Sequence, residues 1–160
     1  MKLVNATHRT AMVAALLYCL SWNPLSAREI TANSGNRTDV GNAVTAAANG
    51  DTVVIPAGTW YWSNTLVIAK SITLQGAGIG QTRLVDHIKV GGQMIVWTTV
   101  KGKAYRLTGV EFTRGATGRG FDQGVVSWNG SSIHCRMDHC KFDRLDNENV
   151  YVQEIGRAHV

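Results

Sequence analysis

The sequence predicts an all-β fold of the solenoid type, and three observations support this prediction. Short apolar runs bounded by turn residues recur from residue 52 onward, with no helical pattern between them. Two segments repeat without gaps at nearly the same interval. The 17 glycines against 2 prolines indicate many tight turns rather than long helices.

The repeat separates a solenoid from a sandwich or a barrel. The run RLTGVEFTR at 106–114 aligns with RMDHCKFDR at 136–144, and MIVW at 94–97 aligns with VVSW at 125–128. Both intervals are about 30 residues, which is typical of one solenoid coil, and equivalent residues of successive coils stack about 4.8 Å apart. The stacked pairs predicted to face inward are Phe112–Phe142 and Val110–Cys140, and the pair Glu111–Lys141 is predicted to face outward. The repeat also places Arg106 beside Arg136 and Arg114 beside Arg144. The like-charged arginines must splay apart or bind an acidic group.

The remaining elements follow from local signals. A polar, flexible segment is expected at 28–37, and Thr38 or Asp39 is a candidate N-cap of a short amphipathic helix that covers the first coil. The residues expected on the buried face of this helix are Val40, Ala43, Val44 and Ala47. Strands are predicted at 52–55, 65–68, 71–74, 82–85, 94–98, 105–113, 125–128, 133–142 and 149–152.

The N-terminal segment 1–27 is typical of a signal peptide. Basic residues precede an apolar stretch at 11–22, which is shorter than the ~20 residues that span a bilayer. The alternative is a buried N-terminal helix. A signal peptide predicts a secreted or periplasmic protein. After its removal, the remaining cysteines are Cys135 and Cys140. We expect them to be separate thiols, because odd spacing along a strand places side chains on opposite faces. No metal site is predicted, since the usual CxxC spacing is absent.

The C-terminal run IGRAHV does not continue the strand pattern. It matches the translation of a common sequencing adapter, so 154–160 is interpreted as an artefact and 38–153 as an incomplete β-helix domain that breaks off after about three coils. The alternative is a native tail that has this sequence by chance.

The stretch 39–84 resembles the opening of pectate-lyase-like proteins, right-handed parallel β-helices of the pectin lyase fold. The resemblance is carried by a helix, the turn GDTVVIPAGTW at 50–60 and the strand LQGAG at 74–78. It implies a right-handed parallel β-helix with an N-terminal capping helix. It also implies a polysaccharide lyase or glycoside hydrolase, with calcium as a potential cofactor of the whole protein. The same fold carries non-catalytic adhesins and tailspikes, which are the alternative.

Charge and residue type provide the candidate site residues. The net charge of +5 comes from singly spread basic residues without a nucleic-acid motif, so no nucleic acid is expected, and an acidic polysaccharide is a compatible partner. The catalytic candidates are Asp138, His139, Asp143 and Arg144, because such chemistry uses carboxylates and a base. The substrate-binding candidates are Trp60, Trp62 and Asp146. Solvated turn residues and structural aromatic side chains are the simpler explanation, and the catalytic coils are expected to lie mainly beyond this fragment.

Overall fold

The computed structural model describes residues 26–88, 92–115 and 125–143, together with the backbone of 150–153. The predicted signal peptide (apart from its C-terminal Ser26 and Ala27), the candidates Arg144 and Asp146, and the proposed artefact at 154–160 lie outside the described residues. The elements, in chain order, are β1 (Glu29–Thr31), α1 (Arg37–Ala46), β2 (Thr52–Ile55), β3 (Gly58–Trp62), β4 (Leu66–Ile68), β5 (Thr73–Gly76), β6 (Thr82–Asp86), β7 (Ile95–Thr99), β8 (Ala104–Thr108), β9 (Glu111–Arg114), β10 (Val126–Gly130), β11 (His134–Asp138), β12 (Lys141–Asp143) and β13 (Val150–Gln153).

The strands form three sheets in which every pairing is parallel. Sheet A has the order β1-β2-β5-β8-β11, sheet B the order β3-β6-β9-β12, and sheet C the order β4-β7-β10-β13. From β2 onward, successive strands enter sheets A, B and C in strict rotation. Each turn of the chain therefore adds one strand to each sheet, which is the arrangement expected of a parallel β-helix.

The register confirms the repeats seen in the sequence. In sheet A, Arg136 pairs with Arg106, and in sheet B, Phe142 pairs with Phe112. In sheet C, β10 pairs with β7 so that Trp128 lies beside Trp97. All three pairs match the alignments read from the sequence. The two independent alignments therefore describe the same stacking of one coil on the next.

The core lies between the three sheets and is built from inward-facing ladders. The rings of Phe112 and Phe142 stack with their centroids 5.2 Å apart and an interplanar angle of 12°. Trp97 packs against Trp128 with a centroid separation of 6.4 Å, and its indole N–H donates a 2.9 Å hydrogen bond to the carbonyl of Lys70. These ladders bury large aromatic surfaces, the main favourable contribution to folding.

Two strands that the sequence predicts as continuous are each broken by a sharp corner. The predicted strand at 105–113 consists of β8 and β9, and the one at 133–142 consists of β11 and β12. Gly109 and His139 form the corners with φ angles of 71° and 51°, and the N–H of Gly109 donates to the carbonyl of His139. Such left-handed backbone interrupts a strand and turns the chain from sheet A into sheet B.

The corner also resets which side chains face inward, and this corrects the argument about the cysteines. Cys135 and Cys140 both pack against the core, although five positions separate them. Their prediction as separate thiols is confirmed. The expectation that they lie on opposite faces is wrong, because the turn at His139 breaks the alternation between them.

The helix α1 packs against β1 to β4 through the predicted residues Val40, Ala43 and Val44, with Ala47 also buried. It begins earlier than expected, after Asn36, whose side chain makes no capping hydrogen bond. The Arg37 side chain instead joins the first turn to the solenoid by donating two hydrogen bonds to the carbonyl of Thr65, at 3.0 and 2.8 Å.

The segment 28–37 differs from the flexible segment that its polar composition predicts. Glu29–Thr31 form β1, which pairs in parallel with β2. The buried carboxylate of Asp51 fixes this strand by accepting hydrogen bonds from the backbone N–H and the guanidinium of Arg28, at 2.9 and 3.0 Å. Hydrogen bonds from the N–H groups of Ala48 and Arg28 lower the pKa of Asp51.

Replacing Phe112 by alanine tests the inward ladder. Phe112 is fully buried, so we expect Phe112→Ala to lower the free energy of unfolding by about 3–5 kcal/mol, measured by urea denaturation. Val67 is 59% exposed on sheet C, and Val67→Ala is the control, with an expected change within about 0.5 kcal/mol. Equal losses in the two variants would contradict the stacked core.

Candidate functional site

The outer face of sheet B carries a dense set of polar and aromatic side chains. The register aligns two outward rows across its four strands. One row is Thr59, Arg83, Glu111 and Lys141, and the other is Tyr61, Val85, Thr113 and Asp143. We call these two rows, with His87 and Arg114 at the ends of β6 and β9, the sheet B face.

An open groove of about 410 Å³ runs over this face. Its side-chain lining includes Tyr61, Arg83, His87, Thr113 and Arg114. The residues come from three successive coils, so the groove crosses the strands along the axis of the solenoid. A groove of this orientation follows the long axis of the solenoid, which suits a linear polymer.

The aromatic part of the groove is Tyr61. Tyr61 is 60% exposed, and the His87 ring packs edge-on against the Tyr61 ring with the centroids 4.9 Å apart. An exposed ring held by a neighbouring ring offers an apolar surface and a polar hydroxyl to a sugar. This arrangement differs from the prediction that Trp60 and Trp62 contact the substrate.

Both tryptophans face inward because the strand alternates around Tyr61. Trp62 is fully buried and its indole N–H donates a 2.8 Å hydrogen bond to the carbonyl of Gly35. Trp60 is half-buried, aligns with Leu84 in the core ladder, and donates to the carbonyl of Pro56. Trp62 therefore has no surface to offer a sugar, and Trp60 serves mainly to pack the first coil.

The charged part of the face is a ladder of alternating sign. Oε1 of Glu111 lies 3.3 Å from Nε of Arg83 in one neighbouring coil and 3.4 Å from Nζ of Lys141 in the other. The predicted pair of Glu111 and Lys141 is therefore confirmed. Glu111 is not exposed to solvent, however, because the two cationic side chains cover it and leave its side chain only 5% exposed.

The two cations hold this carboxylate differently. Lys141 hydrogen-bonds Glu111, whereas the buried Nε of Arg83 has no hydrogen-bond acceptor in the described part of the chain. The contact of Arg83 with Glu111 is thus an ion pair without a directed hydrogen bond. The side chain of Arg83 is 37% exposed, so it reaches both the carboxylate and the groove.

Asp143 is the one predicted catalytic candidate among the described residues that lies on the sheet B face. One carboxylate oxygen accepts a 3.4 Å hydrogen bond from the Thr113 hydroxyl, and the other lies 3.9 Å from Nζ of Lys141. Lys141 thus lies between two carboxylates, those of Asp143 and Glu111. The arrangement holds charge in place, and both carboxylates are partly neutralised.

Asp138 and His139 lie elsewhere, at the corner that ends sheet A. Asp138 accepts two hydrogen bonds from Arg106, at 2.9 and 2.7 Å, and lies 3.1 Å from Nε of Arg136. Arg106 and Arg136 therefore bind an acidic group, which is one of the two outcomes that the sequence predicts. The acidic group is Asp138 of the same chain. His139 contributes a contact of 2.8 Å from Nδ1 to the same carboxylate.

These contacts make Asp138 a poor general base. Hydrogen bonds from Arg106, His139 and Thr108 hold the pKa of Asp138 well below its usual value. A base with such a pKa accepts protons weakly near neutral pH. Asp138 serves instead to hold two like-charged side chains of adjacent coils together.

Sequence reasoning missed Tyr61, Arg83, His87 and Lys141 as site residues. The repeat placed Lys141 beside Glu111 but included neither β3 nor β6, so Arg83 had no assigned neighbour. Within the described ranges, no group of three His, Cys, Asp or Glu side chains is placed to hold a metal ion. In the same ranges, no helix is long and apolar enough to cross a membrane.

Two solved structures are similar to this chain. The alginate lyase AlyGC of family PL6 aligns with a TM-score of 0.49 and 17% identity over 84% of this chain, and an arginine-to-alanine mutant of AlyGC aligns with 0.49 and 19% over 83%. This chain spans 22% and 21% of those two chains. No protein-family model and no curated protein matches. The parallel strand order and register, rather than this likeness, define the fold.

The contacts of Asp138 predict how stability depends on pH. Because its pKa is lower in the folded protein, Asp138 contributes stability that is present above its unfolded pKa of about 3.9 and is lost as the pH falls through the folded value. We therefore expect Asp138→Asn to lower the free energy of unfolding near neutral pH and to approach the wild type below about pH 3. Denaturant unfolding across this range measures the difference.

The matched control is Glu29→Gln, which neutralises an exposed carboxylate on the same sheet and should have a smaller effect at every pH. If the deficit of Asp138→Asn stayed constant down to pH 2, the stabilisation of its charged form would be refuted.

Proposed function

We propose that this chain is part of an exported right-handed parallel β-helix protein of the pectate-lyase-like kind that binds an acidic polysaccharide along the sheet B face. The observation that carries the proposal is the exposed Tyr61 ring in one groove with Arg83 and Arg114. An aromatic platform beside cations matches a polymer that has both sugar rings and carboxylates.

Charge supports an acidic ligand over a neutral one. The sheet B face has the cations Arg83, Arg114 and Lys141 and the carboxylates Glu111 and Asp143, and Arg114 aligns with the buried Asp86 of β6. Without the proposed signal peptide and the proposed artefact, 13 basic and 10 acidic residues give the chain a net charge of +3, so long-range attraction favours polyanions. The long side chains of Arg83 and Lys141 are 37% and 48% exposed and can reach a ligand while they remain beside Glu111.

The same contacts favour binding over catalysis at this face. Glu111 and Asp143 are both engaged by cations, and a general base needs a free, correctly protonated group within reach of the proton. We propose that the whole protein is a polysaccharide lyase or hydrolase whose catalytic coils, and any calcium site, lie outside this chain. A non-catalytic surface or tailspike-like binding protein is the second candidate, because the paired carboxylates suit pure binding.

The architecture that we propose around the site follows from general rules. Parallel crossover connections are right-handed in nearly all known cases. The helix α1 would cover the apolar end of the first coil, since its buried face packs against strands of all three sheets. Export through the proposed signal peptide at 1–27 would bring the groove to extracellular polymers.

Removing the Tyr61 ring tests the aromatic platform. We expect Tyr61→Ala to weaken binding to polygalacturonate or alginate by about three- to tenfold, measured by affinity electrophoresis. Tyr61→Phe keeps the ring and should bind nearly as well as the wild type. Equal binding by wild type and Tyr61→Ala would refute the platform.

Removing a cation tests the preference for acidic polymers. We expect Arg83→Gln to weaken binding to polygalacturonate by about tenfold at low salt, and the difference to shrink as salt screens the charge. Lys101→Gln removes an exposed charge on a turn between sheets C and A and is the control. Tight binding of a neutral glucan by the wild type would oppose an acidic ligand.

An activity assay on the full-length protein distinguishes the two classes. Release of unsaturated ends from pectate or alginate identifies a lyase, and release of saturated reducing ends identifies a hydrolase. Binding without either product favours the non-catalytic protein.

A further inference from the structure

We propose that sheet A carries a second anion site, in which Arg106 and Arg136 bind a single oxyanion, the group that a uronate carboxylate and a sulfate ester share. The site lies in a pocket of about 280 Å³ on the outer surface of sheet A. The residues that line it include Ser71, Thr73, Tyr105, Arg106, His134 and Arg136. None of them lines the sheet B groove.

The two arginines carry more positive charge than their shared carboxylate neutralises. Arg106 and Arg136 are paired residues of adjacent parallel strands, so their guanidinium groups are close like charges. Asp138 is the carboxylate that both contact, through two hydrogen bonds from Arg106 and an ion pair with Arg136. One negative charge against two positive ones leaves an excess positive charge beside the pocket.

Both guanidinium groups have nitrogens that do not contact Asp138. Arg106 bonds Asp138 through Nε and Nη2, which leaves Nη1, and Arg136 contacts Asp138 through Nε, which leaves both terminal nitrogens. Within 26–88, 92–115 and 125–143, no acceptor is found for these three nitrogens. The Arg136 side chain is 69% exposed. A guanidinium with free terminal nitrogens is suited to paired hydrogen bonds with an oxyanion.

The repeat does not require arginine at the position of Arg106. In the neighbouring strand β5 of sheet A, Thr73 aligns with Arg106 and Gln75 aligns with Thr108. The fold therefore accepts an uncharged residue at this position. Packing of the coils does not require two stacked arginines, and their presence adds charge that the solenoid itself does not need.

Asp138 positions the two arginines and neutralises only one of their two charges. Its carboxylate fixes the guanidinium of Arg106 in a planar, two-bond contact and draws Arg136 to the same side. The hydroxyl-bearing Thr73, aligned with Arg106, and the exposed His134 provide further polar groups at the pocket. The two hydrogen bonds to Asp138 hold Arg106 in place beside the opening, which lowers the entropic cost of binding an anion.

The test follows the arginine side-chain N–H signals of the ¹⁵N-labelled chain by NMR. Sodium sulfate and sodium glucuronate are titrated separately against sodium chloride at matched ionic strength. We expect saturable shifts of the Arg106 and Arg136 signals with an oxyanion and no saturation with chloride. Saturation with sulfate alone assigns the site to sulfate esters, saturation with glucuronate alone assigns it to uronates, and saturation with both supports the shared group.

Two variants separate the site from general charge. Arg136→Gln leaves the two-bond contact of Arg106 with Asp138 intact, so the fold should be retained, and we expect about tenfold weaker oxyanion binding. Lys101→Gln removes an equal charge from an exposed turn and should bind as the wild type does. Absence of saturation in the wild type, or equal losses in the two variants, would overturn the proposal. Polygalacturonate binding through Tyr61 should survive Arg136→Gln, so the two sites fail independently.

Discussion

The structure depends on the parallel register that stacks each coil on the next. Backbone groups of one strand are satisfied only by the strands of neighbouring coils, and a slip by one residue would turn every inward side chain outward. The register pairs Phe112 with Phe142 in sheet B and Trp97 with Trp128 in sheet C. Because sheets B and C are fixed by the same coils, the aromatic ladders of both lie in one core, and neither can shift without the other.

The same register determines the chemistry of the surface. Residues one coil apart become neighbours, so charges at equivalent positions meet whether or not they match. On sheet B, Glu111 lies between two cations and the ladder alternates in sign. On sheet A, Arg106 lies beside Arg136, and Asp138 compensates only one of the two charges. The first ladder stabilises stacking, and the second leaves charge for a ligand.

Ion pairing also limits what the described carboxylates can do. Asp138 is surrounded by cationic and hydroxyl donors, and Asp143 lies near Lys141 and accepts a hydrogen bond from Thr113. Groups held in this way position side chains and bind ligands well, but they are poorly suited to proton transfer. These contacts are the reason that we propose binding of a charged polymer on the described coils, with any chemical step on other coils.

The sequence alone determined the repeat, the inward ladders and the helix, because hydrophobic alternation and residue spacing are local and survive in one dimension. It predicted the pair of Glu111 and Lys141 for the same reason. Only the tertiary structure decided which ring of the 60–62 run faces out, since β3 was not recognised and its alternation had no reference. It also decided the role of Asp138, whose partner Arg106 lies in the preceding coil. The predicted continuous strand at 133–142 also gave the wrong face for residues on one side of the left-handed corner at His139. A backbone turn of this kind leaves little signal when the residue is not glycine.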